Sequence, residues 1–262
     1  MGMFVRRSLS AAAVLGVMAL GTPYAALADG TPPAGGSAAA AVPEALMNGL
    51  AQHAARTEEM KRRGVFTVVG LIEEIDGDGR PTERKEMVMR STPTSVPLDR
   101  IIKVIRYTED GKDKTADAQR KATERRAKRL GDPDMQAEAR KRDLKLPFLA
   151  SEQSRYVFTM LERDAAQPTR VRIGFAPKVP AENAIKGSAW VDEVEREVLS
   201  VGFSFSKNPI FVDHVDVTIT FGLSTDLGRA PSQLSFDGRG GFLFIHRHYR
   251  GSVTLSEPGL AF

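Results

Sequence analysis

The chain has 262 residues, with 37 Lys and Arg against 33 Asp and Glu, a formal charge of +4 and no cysteine. Two of the cations and none of the acids lie in residues 1–28, so the remainder carries only +2, which gives no case for nucleic acid as a partner. Without cysteine there is no disulfide, thiolate metal site or lipidated N-terminus, and stability must come from an ordinary apolar core.

Residues 1–28 open with Arg6 and Arg7, continue as a run of Ala, Val, Leu and Met, and close on Ala26-Leu27-Ala28. This pattern predicts a secretory signal peptide cleaved after about Ala28, and hence an exported, soluble protein of the periplasm or exterior. The apolar run is short and broken by Gly and Pro, unlike a membrane span. Arg6-Arg7 before Ser8-Leu9 weakly resembles a twin-arginine signal, so the export route stays open. Residues 29–42, rich in Gly, Pro, Ala and Ser, read as a flexible leader.

Residues 43–262 read as one domain. Pro43 suits a helix start, and Leu46, Leu50, His53, Thr57 and Met60 follow at steps of three and four, which predicts an amphipathic helix from Pro43 to Arg63 ended by Gly64. The period then changes to two. VFTVVGLIEEID and ERKEMVMR flank Asp76-Gly77-Asp78-Gly79, a hairpin signal. DRIIKVIRY, Asp99 to Tyr107, is a third strand after a proline-marked loop.

Residues 111–145 differ. They are dense in Ala, Arg, Lys, Glu and Asp and almost free of large apolar side chains. They read as a charged helical insertion in two pieces, broken at Gly131-Asp132-Pro133. Such a segment is either a solvated or partly disordered arm or a basic patch of Arg120, Lys121, Arg125, Arg126, Lys128 and Arg129. The patch would meet an acidic envelope protein or an anionic membrane surface.

From Arg155 onward strand follows strand: RYVFTMLER, TRVRIGF, VDHVDVTITFGL, SQLSFDG, GGFLFIHRHY and a short SVTL, with a break expected at Gly238–Gly241. The stretch GSAWVDEVEREVLSVGFSF is ambiguous. Val191, Val194, Val198 and Val201 have helical spacing, whereas Leu199, Val201, Phe203 and Phe205 alternate. Its place among strands decides for two strands, Ile185–Asp192 and Glu197–Ser206, joined by a charged turn. The fold class is α+β: a strongly curved antiparallel sheet or unclosed β-barrel of about ten strands, with an N-terminal helix and the helical insertion.

Catalytic signals are lacking. There is no nucleophile elbow and no phosphate-cradling glycine loop. His246 and His248 share one strand face, but no further His or Cys lies near them, so no metal site and no cofactor is inferred. A half-barrel with an apolar inner face could instead hold an apolar ligand, or its side chains could simply fill the core.

Gly187 to Glu197 spells G-x-x-W-V-D-x-x-x-x-E, and YTEDGKDKTADAQRKATERRAKRL is a glycine followed by a charged helical arm. These stretches, with the order of elements from Pro43 to Leu255, resemble the outer-membrane lipoprotein-sorting superfamily, the LolA/LolB-like periplasmic lipoprotein carriers. The resemblance implies an unclosed barrel lidded by helices, whose cavity takes lipid or lipoprotein acyl chains without catalysis. Phe66, Tyr156, Phe158, Trp190, Phe203, Phe205 and Phe221 are the candidates to line it. The long basic arm departs from the compact carriers. It suggests the alternative of an interaction or sensor module with a filled core, whose arm binds an acidic partner.

Overall fold

The computed structural model describes residues 41–141, 143–209, 211–242 and 245–261. The expected signal peptide, and the leader up to residue 40, lie outside the described residues. The elements are α1 (Glu44–Arg63), β1 (Gly64–Ile75), β2 (Pro81–Pro93), β3 (Arg100–Glu109), β4 (Lys112–Asp113), α2 (Thr115–Gly131), α3 (Pro133–Lys141), α4 (Ala150–Gln153), β5 (Tyr156–Arg163), β6 (Arg170–Pro177), β7 (Ile185–Asp192), β8 (Glu197–Phe205), β9 (Val212–Thr225), β10 (Gly228–Phe242) and β11 (Ile245–Leu260).

The strands form one 11-stranded antiparallel sheet in the order β4-β3-β2-β1-β11-β10-β9-β8-β7-β6-β5. It is curved and unclosed, with β4 and β5 at its ends. The expected fold class is therefore the observed one. The stretch Gly187–Phe205 falls in the β7–β8 hairpin, and the charged residues between the strands form its turn, with Asp192 Oδ1 accepting from the amides of Val194 and Glu195 at 2.9 and 3.0 Å. A side chain at Gly187 would place its Cβ 2.0 Å from the Gly202 carbonyl oxygen, so this glycine permits close strand approach.

Two expectations about the C-terminal third fail. Gly238–Gly241 is not a break: β10 runs through it to Phe242, and Gly240 pairs with Val212 and Arg247. The segment SVTL is not a short edge strand but the middle of β11, which pairs with β1 on one side and β10 on the other. The misleading signal was glycine. A Cβ at Gly240 would lie 2.4 Å from the Phe211 carbonyl oxygen, and one at Gly251 would lie 2.6 Å from that of Leu71. These glycines serve tight packing between long strands rather than a turn.

Period-two alternation sorts each strand onto two faces. The inner face carries Phe66, Val68 and Ile72 of β1, Met87 and Met89 of β2, Val171, Ile173 and Phe175 of β6, Val215, Val217 and Phe221 of β9 and Val253 of β11, all buried in one core. The apolar stripe of α1 lies on this face, burying Leu46, Leu50, His53, Ala54 and Met60. Glu44 stands in the first turn of the helix and Lys61, Arg62 and Arg63 in the last, each where the helix dipole favours its sign. Phe148, from the segment that follows the insertion, is fully buried and stacks on Phe158 at 5.5 Å. Lys61 ties that segment to α1 through Asp143 and the Leu144 carbonyl.

Candidate interaction surface

The residues expected to line a lipid cavity divide by face. Phe66, Tyr156, Phe158, Phe203, Phe205 and Phe221 are on the inner face within the core or packed against it. Trp190 is not with them: it lies across from Arg172 on β6 and Ser200 on β8, on the outer face. Phe66 and Phe221 are 3% and 2% exposed. Tyr156 and Phe205 are also buried, and Tyr156 packs on Phe158 and Phe175. The surface of these four is spent on protein neighbours, whereas Phe158 is half-buried against the core.

The helical insertion is not a free arm. Helix α2 is docked along the outer edge of β3. Where another strand would pair, the Gln119 side-chain amide takes its place: Oε1 accepts from the Val104 amide at 2.7 Å and Nε2 donates to the Ile102 carbonyl at 3.3 Å. Thr115 does the same at Tyr107, with its hydroxyl accepting from the backbone N–H at 2.9 Å. Ala118 and Ala122 pack against the core between these contacts. The exposed-edge problem of an open sheet is thus solved at this end by a helix.

A buried ion-pair cluster fixes α2 in place. The Asp99 side chain is 2% exposed and accepts from Arg126 Nη2 at 2.7 Å, Arg129 Nη2 at 3.0 Å and Thr94 Oγ1 at 2.8 Å. Burial opposes its charge, but the bonds from Arg126, Thr94 and Arg129 outweigh it and hold the carboxyl below the ordinary aspartate range. Next to it, Arg100 is buried and donates to Ser91 Oγ and to the carbonyls of Lys61, Gly64 and Ser91, binding β3 to the α1–β1 junction. Burial lowers this guanidinium to about 10. Neither Asp99 nor Arg100 was assigned a role from sequence. The available signal was a charged pair at the mouth of the apolar strand IIKVIRY.

The expected basic patch therefore splits. Arg126 and Arg129 are structural, turned inward onto Asp99. Arg120 is paired along the helix with Asp117 and Glu124. Lys121, Arg125 and Lys128 are exposed, at steps of four and three on one stripe, and make no ion pair among the described residues. A bulge in β3 opposite Val88 and Met89 leaves both Ile105 and Arg106 exposed, and Ile101 and Lys103 are exposed before them on the same strand.

On the outer face a groove of about 380 Å³ crosses β1, β11, β10 and β9. One row through it reads Leu71, Ser252, Ser235, Thr218; the next reads Glu73, Arg250, Asp237, Asp216. Arg250 pairs with Glu73 at 3.0 Å, and His248 Nε2 meets Asp237 at 2.6 Å. Asp216 ends the row directly opposite Asp237, and burial together with that neighbouring carboxylate pushes it up to about 6. His246 is exposed beside Asp213, so the two histidines contact different acids. No cluster of three or more metal-ligating side chains occurs among the described residues.

No family model matches the chain, that of the lipoprotein-sorting carriers included, and no curated protein matches it. Among solved structures it is weakly similar to one described as the complex structure of Pseudomonas aeruginosa MucA/MucB, with TM-score 0.22 and 12% identity over 80% of this chain and 94% of that one. A crystal structure of MucB in complex with MucA(peri) is similar at TM-score 0.20 and 12% identity, over 77% and 92% of the two chains. Among the described residues no helix is long and apolar enough to cross a membrane.

Proposed function

We infer that this is a non-catalytic interaction module of the cell envelope, exported by its N-terminal signal, and that it holds an acidic protein partner against α2. One observation carries the reading. Phe66, Tyr156, Phe205 and Phe221 of the inner face are buried, while the Asp99 cluster anchors α2 with Lys121, Arg125 and Lys128 turned to solvent. A row of cations on an already folded helix spares the backbone ordering that a disordered arm would need on binding, and it selects partners by charge. The burial of these aromatics favours this role over carriage of a lipid or acyl chain, which needs room among them.

A photo-crosslinking residue at position 121, introduced in the producing cell, tests the proposal. The expected result is one dominant crosslinked protein with an acidic segment at the contact. Its capture falls at high salt and is lost in the triple variant Lys121→Glu, Arg125→Glu, Lys128→Glu. Equal crosslinking from a control position on α4, or insensitivity to the triple reversal, refutes it. Native mass spectrometry of the purified protein supplies the other arm: a bound lipid of defined mass restores the carrier reading.

A further inference from the structure

His53, on the inward side of α1, is completely buried, and neither ring nitrogen has a hydrogen-bond partner among the described residues. Leaving a buried imidazole unpaired is costly, and a leucine would fill comparable space without that cost. The ring sits edge-on to Phe221 of β9 at 5.5 Å. The nearest ionisable group is Glu197 of β8, whose Oε1 lies 3.8 Å from Nδ1, beyond hydrogen-bond distance. That carboxylate is already engaged by Arg56 of α1 at 3.4 Å and by Arg229 of β10 at 3.0 Å. The Arg196 stem also lies in this seam, where a Cβ on Gly49 of α1 would stand 2.4 Å from its own Cβ.

The charge arithmetic follows. With His53 neutral, one carboxylate faces two guanidiniums. A proton on His53 adds a third positive charge at a site closed to water, and only a carboxylate shared with two arginines is at hand to answer it. Burial first, opposed by Glu197 and reinforced by Arg56 and Arg229, lowers the imidazole to about 4. An unfolded histidine takes its proton near 6.5. The group therefore withdraws stability from the docked state as pH falls through the window between those two values, and withdraws no more below it.

We propose that His53 makes the docking of α1 acid-labile: a proton taken from solvent onto the imidazole breaks the seam between α1 and strands β8, β9 and β10, and uncovers Leu50 on the helix and the apolar inner face around Phe221. The geometry is that of a histidine switch, a titratable ring held neutral in an interface that its charged form cannot occupy. This inference is independent of the partner assigned to α2.

The test is amide hydrogen exchange across Glu44–Arg63, with binding of an apolar fluorescent dye, from neutral pH to below 4, on wild type, His53→Leu and His53→Gln. In wild type α1 loses protection between pH 6.5 and 4 while β6 and β7 stay protected, and dye binding rises with it. In His53→Leu that transition moves down by about one pH unit or more. Identical α1 midpoints in wild type and His53→Leu overturn the proposal. So does a single transition that exposes α1 and the whole sheet together in both proteins. If His53→Leu does not fold, His53→Gln and the NMR titration of His53 in wild type decide: a ring that titrates near 6.5 with α1 still docked overturns it.

Discussion

Replacing Asp99 with Asn removes one charge and keeps the shape, so it isolates what the carboxylate does for α2. Three side chains converge on it, and two bring guanidinium charge. Removing one partner of a buried ion pair costs about 3–5 kcal/mol when the other charge is stranded. Here Arg126 and Arg129 are 35% and 25% exposed, so they can turn to water and recover part of their hydration. The cost falls to about 2–3 kcal/mol, the scale of one or two charge-assisted hydrogen bonds. The rest of the α2 anchor is modest: two alanines against the core and the edge bonds of Gln119 and Thr115. The loss should thus appear as local detachment, with amide exchange across Thr115–Gly131 faster by about 30- to 150-fold at one decade per 1.4 kcal/mol. The core strands should keep their protection, and trypsin should cut first within α2. Unchanged exchange in α2, with the variant otherwise folded, would show that the cluster does not hold the helix. Because the Asp99 carboxyl is held below its ordinary range, its contribution is present at neutral pH and is lost as pH falls through the folded value.

Gly187→Ala forces a Cβ to within 2.0 Å of the Gly202 carbonyl oxygen, so β7 and β8 must part; urea unfolding should show a loss of about 2–3 kcal/mol, and an unchanged midpoint would contradict the close approach. Asp216→Asn should stabilise the protein at pH 8 by up to about 1 kcal/mol, discounted for its exposure, and the gain should shrink as pH drops below about 6, where the native carboxyl is protonated as well. Thermal melts at pH 8 and pH 5 measure that difference; equal shifts at both would show that burial and Asp237 do not hold the carboxyl above its ordinary range. Gln119→Leu leaves the Val104 amide and Ile102 carbonyl without their edge partners. It should promote self-association through β3, seen as dimer in light scattering; a strictly monomeric variant would count against edge protection.

Alternation and turn chemistry made most strands legible. Ile185–Asp192 stands as read, and the β1–β2 turn is where Asp76–Gly79 placed it, with Asp76 Oδ1 accepting from the Asp78 and Arg80 amides. What failed shares one cause: local sequence does not report what approaches a residue from a distant strand. Gly240 and Gly251 look like punctuation, yet their neighbours are the Phe211 and Leu71 carbonyls. Arg126 and Arg129 look like surface charge beside Arg125 and Lys128. Only the fold brings Asp99 beneath them, and a run of like residues cannot show which face is claimed. Trp190 stands between Ala189 and Val191, both buried, so alternation puts it on the other face from the inner aromatics. The tertiary seam around His53 was invisible, since Glu197 and Arg229 are far from it along the chain.

The pairing of β11 with β1 sets Thr254 beside Val69 and joins the sheet across nearly its whole sequence span. During synthesis this ladder forms last. Until β11 is in place, no strand ladder links the wing β1–β4 to the wing β5–β10. Both β1 and β10 then present long unpaired edges, the geometry that templates aggregation. Loop closure over such a span is slow, so the chain matures in a late, concerted step rather than wing by wing. A sheet whose two wings meet only through β11 is complete only once that strand is available to both. Loss of even the last few strand residues should therefore yield insoluble protein rather than a shortened, working domain.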